Sequence, residues 1–148
     1  MKALVVYDSL YGNTEQIAKA IGGGIGGEVK VAKVGEVKAA ELKSYDLVFI
    51  GSPTQGGRHT VAMKGFLDSI LGDEVKNVRV AAFDTRLKTK LVKLFGYAAG
   101  RIADALKEKG GNLVAPGEGF LVKGTRGPVM DGEIERAAAW AKGIAESK

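Results

Sequence analysis

Residues 2–15 read KALVVYDSLYGNTE, and this stretch decides the fold of the chain. The run from Ala3 to Tyr7 is hydrophobic throughout, which is typical of a β-strand buried on both of its faces. A short polar loop follows, and apolar residues then recur at helical spacing at Ile17, Ala18, Ile21 and Ile25. This order predicts a buried strand that leads through a loop into an amphipathic helix, the first part of a βαβ unit.

The rest of the chain repeats this alternation of strand and helix. Apolar runs predict further strands at residues 29–34, 46–51, 78–83 and, in two pieces, 112–114 and 120–122. Helical spacing predicts further helices at residues 61–71, 98–106 and 134–145. Strict alternation with apolar strands predicts an α/β fold, a three-layer doubly wound domain around a five-stranded parallel sheet. The chain has no linker or internal repeat, so we expect one domain over residues 1–148.

The glycines at positions 22, 24 and 27 match the spacing G-x-G-x-x-G of a dinucleotide-binding loop. Such a loop must follow a strand and open a helix, whereas these glycines follow the first helix and precede the second strand. We therefore interpret the glycines at 22–24 and 26–27 as the end of the first helix, and we reject a dinucleotide site.

The composition is that of a soluble globular protein. The chain has 148 residues, of which 45% are hydrophobic and 26% charged, enough for a single core. No apolar run approaches the ~18 residues that cross a bilayer, and the run from Ala3 to Tyr7 is too short for a signal peptide. The chain has no cysteine, which excludes disulfides, thiolate nucleophiles and iron–sulfur ligands. We expect a cytoplasmic protein that does not enter a membrane.

The chain is basic, with 22 Lys and Arg against 17 Asp and Glu and a net charge of +5. The cations are spread along the chain at about one per helical turn, which is typical of a solvated surface rather than of a nucleic-acid site. We therefore expect no nucleic-acid partner, but the sign of the charge favours acidic protein partners. His59 is the only histidine, so we expect no metal site and no catalytic triad.

Three polar loops carry the residues that could form a site. In an open parallel sheet, ligands bind beyond the carboxyl ends of the strands, where the strand order reverses. The loops predicted at this edge run from Asp8 to Glu15, from Gly51 to Thr60 and from Asp84 to Thr89. The second and third loops are longer than a crossover needs, and glycines in the second loop allow backbone conformations that other residues avoid.

The first of these loops has the chemistry of a phosphate site. Hydroxyl groups at Ser9 and Thr14 flank Gly12, and the backbone N–H groups at the start of the first helix converge there. The loop has no Lys or Arg and lacks the triphosphate motif G-x-x-x-x-G-K-[ST], so it suits a single phosphate monoester. The alternative is that Ser9, Asn13 and Thr14 only cap the helix. The loop by itself is compatible with both interpretations.

The segments KALVVYDSLYGNTE at 2–15 and DLVFIGSPTQ at 46–55 resemble those of the flavodoxin family. They are especially similar to the flavodoxin modules of flavodiiron proteins. Only residues 115–119 separate the two pieces of the last predicted strand, as in short-chain flavodoxins. The resemblance implies a flavodoxin-like sheet of strand order 2-1-3-4-5 and the cofactor flavin mononucleotide (FMN).

The resemblance also implies which residues hold the cofactor, as three groups. The first would enclose the FMN phosphate and consists of Ser9, Leu10, Tyr11, Gly12, Asn13 and Thr14. The second would line one side of the isoalloxazine ring and consists of Pro53, Thr54, Gln55, Gly56 and Gly57. The third would line the other side and consists of Asp84, Thr85, Arg86 and Leu87.

The residues around the expected flavin differ from the family pattern. The usual stacking aromatics are missing from the second and third loops, so we expect weaker FMN binding than in typical flavodoxins. The fully reduced flavin of flavodoxins is an anion, which nearby cations stabilise. We therefore expect a second-electron potential less negative than in acidic flavodoxins, owing to Arg58, Arg86, Lys88 and Lys90, with Asp84 the only acid among them.

The resemblance implies a small FMN protein that shuttles single electrons between a reductase and an acceptor. The cofactor would do the chemistry, so we assign no catalytic acid, base or nucleophile. Whether the chain is also an enzyme stays open, with a carrier favoured. One alternative is an FMN-dependent NAD(P)H:quinone-type reductase, and the other is a non-redox binding module that has lost the cofactor. We expect a monomer that works with redox protein partners, reductase and acceptor.

Overall fold

A computed structural model describes residues 1–88 and 97–147 of the protein. In these residues one sheet of six strands is covered by four α-helices. The strands are β1 (Lys2–Tyr7), β2 (Glu28–Lys33), β3 (Leu47–Pro53), β4 (Arg79–Leu87), β5 (Asn112–Leu113) and β6 (Glu118–Val122). The α-helices are α1 (Asn13–Ile25), α2 (Val61–Asp68), α3 (Ala98–Glu108) and α4 (Glu133–Glu146). None of these four helices is long and apolar enough to cross a membrane.

The strand order is β2-β1-β3-β4-β5, with β6 beside the second half of β4, and the strands pair in parallel. This confirms the predicted doubly wound, flavodoxin-like α/β fold. In the register, Tyr7 of β1 pairs with Gly51 of β3, and Gly51 pairs with Phe83 of β4. The carboxyl ends of β1, β3 and β4 therefore lie side by side at the edge where the strand order reverses and ligands bind.

The last strand position is divided, as the two separate apolar runs predicted. β5 pairs with Arg79 and Val80 at the start of β4, whereas β6 pairs with residues 83–87 at its end. Gly117 lies between the two pieces, and a Cβ atom there would be 3.0 Å from Ala99 of α3. The chain therefore leaves the sheet between the two pieces, where Gly117 fits against Ala99 of α3.

The connection from β2 to β3 differs from the strict alternation that the sequence predicted. It consists of two 3₁₀ helices, Val34–Glu36 and Ala39–Ser44, and Val34 belongs to the first of them rather than to β2. Each 3₁₀ helix begins with a local hydrogen bond to a glutamate side chain inside it. The backbone N–H of Lys33 donates to Glu36, and that of Lys38 donates to Glu41, both at 3.2 Å.

The first helix continues through Gly22–Gly24 and ends before Gly26 and Gly27, so only the second group of glycines ends it as predicted. α1 reaches Ile25, and Gly26 and Gly27 follow with positive φ angles of 70° and 74°. Inside the helix, Gly24 lies against the backbone of Ala138 in α4, where a Cβ atom would overlap the carbonyl oxygen. The prediction was wrong for Gly22–Gly24, because close packing of α1 on α4 selects glycine at position 24 inside the helix. The rejected dinucleotide motif thus lies in a helix and the turn after it.

Two hydrophobic clusters cover the two faces of the sheet. Side chains alternate along β1, so Leu4 and Val6 join the cluster that also contains residues of α2 and α3. Ala3, Val5 and Tyr7 join the other cluster, with α1 and α4. Trp140 of α4 completes the second cluster, with its ring centroid 5.4 Å from that of Phe49 and 5.7 Å from that of Phe120. The predicted packing role of Trp140 is confirmed.

Arg79, at the start of β4, contacts both ends of the described chain. Its Nη2 atom donates to the carbonyl oxygens of Ile144 at 2.8 Å and Ser147 at 3.0 Å. Its Nη1 atom lies 4.0 Å from the sulfur atom of Met1. This cluster sits at the amino ends of the strands, the edge opposite to the one where ligands bind in such sheets.

Glu133 attaches the start of α4 to β6. Its Oε2 atom accepts the backbone N–H of Leu121 at 2.7 Å, and its Oε1 atom accepts Nε of Arg136 at 2.8 Å. Arg136 also pairs with Glu118 of β6 at 2.7 Å. The hydrogen bond from Arg136 is the main reason that the pKa of the Glu133 carboxyl lies below its ordinary value. The carboxylate is therefore ionised at neutral pH.

We expect Glu133→Ala to lower the free energy of unfolding at pH 7 by about 1 to 2 kcal/mol, because a buried charge-assisted contact is lost. The pKa of Glu133 is lowered in the folded state, so its contribution is present above the unfolded value of ~4.3 and is lost as the pH falls through the folded value. Urea unfolding at pH 7 and at acidic pH measures this. Glu135→Ala, an exposed glutamate in the same helical turn, is the control. Equal losses in both variants would contradict the role given to Glu133.

Candidate functional site

A cleft of about 340 Å³ opens at the carboxyl edge of β1, β3 and β4. All three groups of predicted site residues contribute to its wall, and Gly12, Gly57 and Asp84 are the predicted residues that do not reach it. Two further residues, Val122 and Thr125, also line the cleft and were not assigned from the sequence. The lining residues are Ser9, Leu10, Tyr11, Asn13, Thr14, Pro53, Thr54, Gln55, Gly56, Thr85, Arg86, Leu87, Val122 and Thr125.

The loop after β1 turns into α1 at Gly12, whose positive φ of 91° lies in the left-handed region that favours glycine. Ser9 closes this turn, because its Oγ atom accepts the N–H groups of Gly12 at 3.1 Å and of Glu15 at 3.4 Å. Ser9 thus acts as a cap, as one of the two sequence interpretations proposed. Capping by Ser9 leaves the other N–H groups of the helix start unused.

The remaining N–H groups belong to residues that line the cleft. Within the described residues, the N–H groups of Tyr11, Asn13 and Thr14 have no protein acceptor. Asn13 is 8% exposed and Thr14 is 1% exposed, so donors at these positions are shielded from bulk water. Unpaired N–H groups and the positive end of the helix dipole together attract an anion. The arrangement fits a phosphate monoester without a Lys or Arg in the loop itself.

Thr14 is also connected to the far wall of the cleft. Its Oγ1 atom lies 2.8 Å from Oγ1 of Thr85, and both residues are buried. Thr85 in turn offers its carbonyl oxygen to the N–H of Thr54 at 2.9 Å. One threonine from each of the three predicted groups therefore belongs to a single hydrogen-bonded chain across the back of the cleft.

The segment after β3 makes a tight hairpin turn at the cleft rim. Gln55 and Arg58 exchange backbone hydrogen bonds of 2.7 and 3.0 Å, and Gly56 and Gly57 between them have positive φ angles of 55° and 80°. Such a two-residue turn requires positive φ at both central positions. The carbonyl oxygen of Gly57 accepts a hydrogen bond from Nε of Arg101 at 2.9 Å, and Gly57 is not among the lining residues. Gly56 alone of the two glycines therefore lines the site.

The third predicted loop is instead the end of β4, which continues to Leu87 because β6 pairs with residues 83–87. Asp84 is fully buried and does not line the cleft, contrary to the expectation. Its carboxylate accepts Nε and Nη2 of Arg86, each at 2.7 Å, and the backbone N–H of Ala99 at 2.9 Å. Asp84 therefore anchors the cleft wall and the start of α3. Thr89, at the end of the predicted loop, lies outside the described residues.

Arg86 is held on several sides. Besides Asp84, its guanidinium carbon lies 3.3 Å from the ring centroid of Tyr97, and a Cβ atom at Gly119 would overlap its guanidinium group. The side chain is 17% exposed. The sequence placed Arg86 among the cations expected to make the second-electron potential less negative, and in the structure its charge is offset by Asp84. Lys90, another of the predicted cations, lies outside the described residues.

A second carboxylate links the first two segments of the site. Asp8 accepts the N–H of Ser9 at 3.0 Å and the hydroxyl of Thr60 at 2.5 Å. Thr60 in turn caps α2 by accepting the N–H of Met63 at 3.2 Å. The loop after β1 and the start of α2 are thereby fixed relative to each other.

Tyr7 and Glu15 form a third polar contact beside the first loop. The hydroxyl of Tyr7 donates to Glu15 Oε1 at 2.9 Å. Burial, and then this carboxylate, raise the pKa of Tyr7 to about 12. The hydrogen bond from Tyr7, and then the one from Lys19, lower the pKa of Glu15. At neutral pH the tyrosine is therefore the donor and the glutamate an anion in the first turn of α1, where the helix dipole stabilises it.

A doubly wound sheet with a buried helix N-terminus at its switch point is typical of proteins that bind a mononucleotide through its phosphate. The flavodoxin sequence profile matches residues 5–140. The chain is also 30% identical to a flavodoxin from Maridesulfovibrio salexigens, over 98% of this chain and 97% of that protein. The chain therefore belongs to the flavodoxin family, whose members bind FMN and transfer electrons.

Solved structures agree with this assignment. A flavodoxin from the domain Archaea has a TM-score of 0.83 and 31% identity, covering 99% of this chain and 97% of that chain. The flavodiiron protein from Giardia intestinalis has a TM-score of 0.78 at 19% identity, and it covers 98% of this chain but 35% of that one. The second likeness shows the fold alone, and it agrees with the resemblance to flavodiiron modules.

Some curated relatives are longer than this chain. The chain spans about half the length of a flavodoxin from Aquifex aeolicus, at 32% identity over 74% of this chain and 51% of that protein. It also spans about half of the NAD(P)H dehydrogenase (quinone) from Brucella anthropi, at 36% identity over 49% of this chain and 48% of that protein.

A matched pair of glycines tests the phosphate site. Gly12 and Gly132 both precede a helix with left-handed φ angles, 91° and 86°, and both have open space where a Cβ would lie. We expect Gly12→Ala and Gly132→Ala to lose similar stability, about 1 kcal/mol each, through backbone strain. Only Gly12→Ala should also weaken FMN binding, by about tenfold, because the N–H groups of Asn13 and Thr14 shift.

Titration of the apoprotein with FMN and with riboflavin, which lacks the phosphate, measures this effect. Gly12→Ala should leave riboflavin binding unchanged. An equal loss for both ligands would mean that the loop after β1 does not hold the phosphate.

The buried pair of Asp84 and Arg86 is expected to govern the second-electron potential through its net charge. Asp84→Asn leaves one positive charge beside the cleft, so this potential should rise, by about 40 mV for an interaction of ~1 kcal/mol. Arg86→Gln leaves one negative charge and should lower the potential. The double variant restores neutrality and should return near the wild-type value. Potentiometric titration of the FMN-loaded variants tests this, and equal shifts of the same sign in both single variants would contradict it.

Proposed function

We propose that the protein is a one-electron carrier that holds FMN in this cleft and shuttles electrons between a reductase and an acceptor. The observation that supports this proposal is the chemistry of the cleft wall. Among the described residues that line it, the only charged side chain is Arg86, and its charge is compensated by Asp84. The described wall has hydroxyl groups but no carboxylate, histidine or lysine, so the bound cofactor would supply the redox chemistry.

The residues of the chain would divide the binding of FMN among them. The N–H groups of Tyr11, Asn13 and Thr14, with the hydroxyl of Thr14, would hold the phosphate. The segments 53–56 and 85–87, which lie at the ends of the neighbouring strands β3 and β4, would enclose the isoalloxazine ring from two sides. Thr54 and Thr85 would keep these walls at a fixed separation, because they are hydrogen-bonded to each other through the backbone.

The rim of the cleft suits contact with an acidic redox partner. Leu10 and Tyr11 are half exposed, at 50% and 52%, and Leu87 is 37% exposed, so apolar side chains surround the opening. Arg58 and Lys88 are exposed beside them, and neither forms an ion pair within residues 1–88 and 97–147. A positive rim of this kind steers acidic partners and repels basic ones. We place this exchange in the cytoplasm and expect the carrier to act as a monomer.

The second candidate is an FMN-dependent reductase that takes electrons from NAD(P)H and passes them to a quinone. It is favoured by the 36% identity to the NAD(P)H dehydrogenase (quinone) of Brucella anthropi. A third candidate is a binding module without a redox cofactor. The three differ in what the purified protein does by itself.

We expect the purified protein to show the visible absorption of bound flavin and to leave NADPH and NADH unoxidised in the presence of a soluble quinone. Added flavodoxin reductase should then allow electron flow from NADPH. Oxidation of NADPH by the protein alone would favour the quinone reductase instead. A colourless protein that does not take up added FMN would favour the binding module.

The preferred charge of the partner can be measured with NADPH, flavodoxin reductase, the protein and either of two electron acceptors. The reduced protein should pass electrons faster to an acidic ferredoxin than to a basic cytochrome c, and added salt should slow the first transfer. The opposite order would contradict an acidic partner and leave the carrier function intact.

A further inference from the structure

A hairpin after β6 carries residues that the flavodoxin assignment leaves without a role. Val122 and Val129 form an antiparallel bridge, and the N–H of Lys123 donates to the carbonyl of Pro128 at 2.8 Å. The N–H of Gly127 donates to the carbonyl of Gly124 at 2.9 Å and closes the tip. The segment 123–128, called the basic hairpin below, is therefore an ordered element at the carboxyl edge of the sheet.

The basic hairpin packs against the loop after β1. Gly127 packs so closely on Asn13 that a Cβ atom would overlap Asn13 Oδ1. Thr125 lines the cleft together with Ser9 and Thr14. The guanidinium carbon of Arg126 lies 5.6 Å from the ring centroid of Tyr11. Three successive residues of the hairpin thus contact or border the loop that is proposed to hold the phosphate.

The two cations of the hairpin, Lys123 and Arg126, differ in whether a carboxylate lies nearby. Lys123 lies 3.8 Å from Asp131, which offsets its charge. Arg126 has no carboxylate within ion-pair distance among the residues that the structure describes. The loop from Asp8 to Thr14 contains one carboxylate and no cation of its own. A phosphate monoester carries about two negative charges at neutral pH, so Arg126 is the cation that could compensate it.

We infer that Arg126 and Thr125 are phosphate-binding residues of the FMN site, with Arg126 supplying the positive charge that residues 8–14 lack. This inference rests on the proposed placement of the phosphate at the start of α1. In this role Arg126 selects FMN over riboflavin, because its charge acts on the phosphate and on no other part of the ligand. Tyr11 holds the guanidinium group in place through its ring.

The test compares Arg126→Gln, Arg126→Lys and the control Lys123→Gln, which removes an exposed cation from the same hairpin. Each apoprotein is titrated with FMN and with riboflavin by flavin fluorescence at low and high salt. Arg126→Gln should weaken FMN binding by about fivefold at low salt, as expected for a partly exposed ion pair, and leave riboflavin binding unchanged. The loss should shrink at high salt. Arg126→Lys should keep most of the affinity, and Lys123→Gln should match the wild type.

The outcomes separate this inference from the proposal on which it rests. If the wild type binds riboflavin as tightly as FMN, the phosphate placement fails and the inference fails with it. If the wild type prefers FMN and Arg126→Gln keeps the same preference, the phosphate placement stands and the role of Arg126 is overturned. The role is also overturned if Arg126→Lys loses as much affinity as Arg126→Gln, since charge would then not be the cause.

Discussion

The carboxylate of Asp84 is fully buried, and a buried charge is tolerated only where other groups compensate it. Arg86 supplies two hydrogen bonds and the opposite charge, and Ala99 supplies a backbone N–H at the start of α3. These contacts, together with the stacking of Arg86 on Tyr97, connect the end of β4, the first turn of α3 and the ring of Tyr97. One wall of the cleft is therefore rigid for electrostatic reasons, although its residues are polar and lie where a loop would be expected.

At the loop after β1, different polar side chains make different hydrogen bonds. Ser9 closes the turn into α1, Asp8 joins that turn to α2 through Thr60, and Thr14 reaches across to Thr85. Because these side chains bind one another, the backbone N–H groups between them keep their hydrogen-bonding capacity for a ligand. The two sequence interpretations of this loop, capping and phosphate binding, thus describe different residues of the same turn and are compatible.

Local pattern was enough to predict the sheet, because apolar runs of strand length identify β1, β3 and most of β4 without knowledge of the partners. The errors arose where distant residues decide the structure. β4 extends to Leu87 because β6, about thirty residues later in the chain, pairs with it. α1 runs through its glycines because α4 packs against Gly24. Residues near the two recognisable motifs could be predicted to line the cleft. Val122 ends β6 and Thr125 belongs to the hairpin after it, and that hairpin reaches the cleft because it folds back on Asn13.

The meeting of Met1 and Ser147 at Arg79 has a consequence for how this fold is combined with other domains. Both ends of the described chain lie at the amino edge of the sheet, and the cleft opens at the carboxyl edge. A domain with neighbouring ends far from its site can be joined to other domains at either end without covering the site. The same architecture occupies only 35% of the Giardia intestinalis flavodiiron chain. Further chain joined near Met1 or Ser147 would therefore leave the cleft edge uncovered.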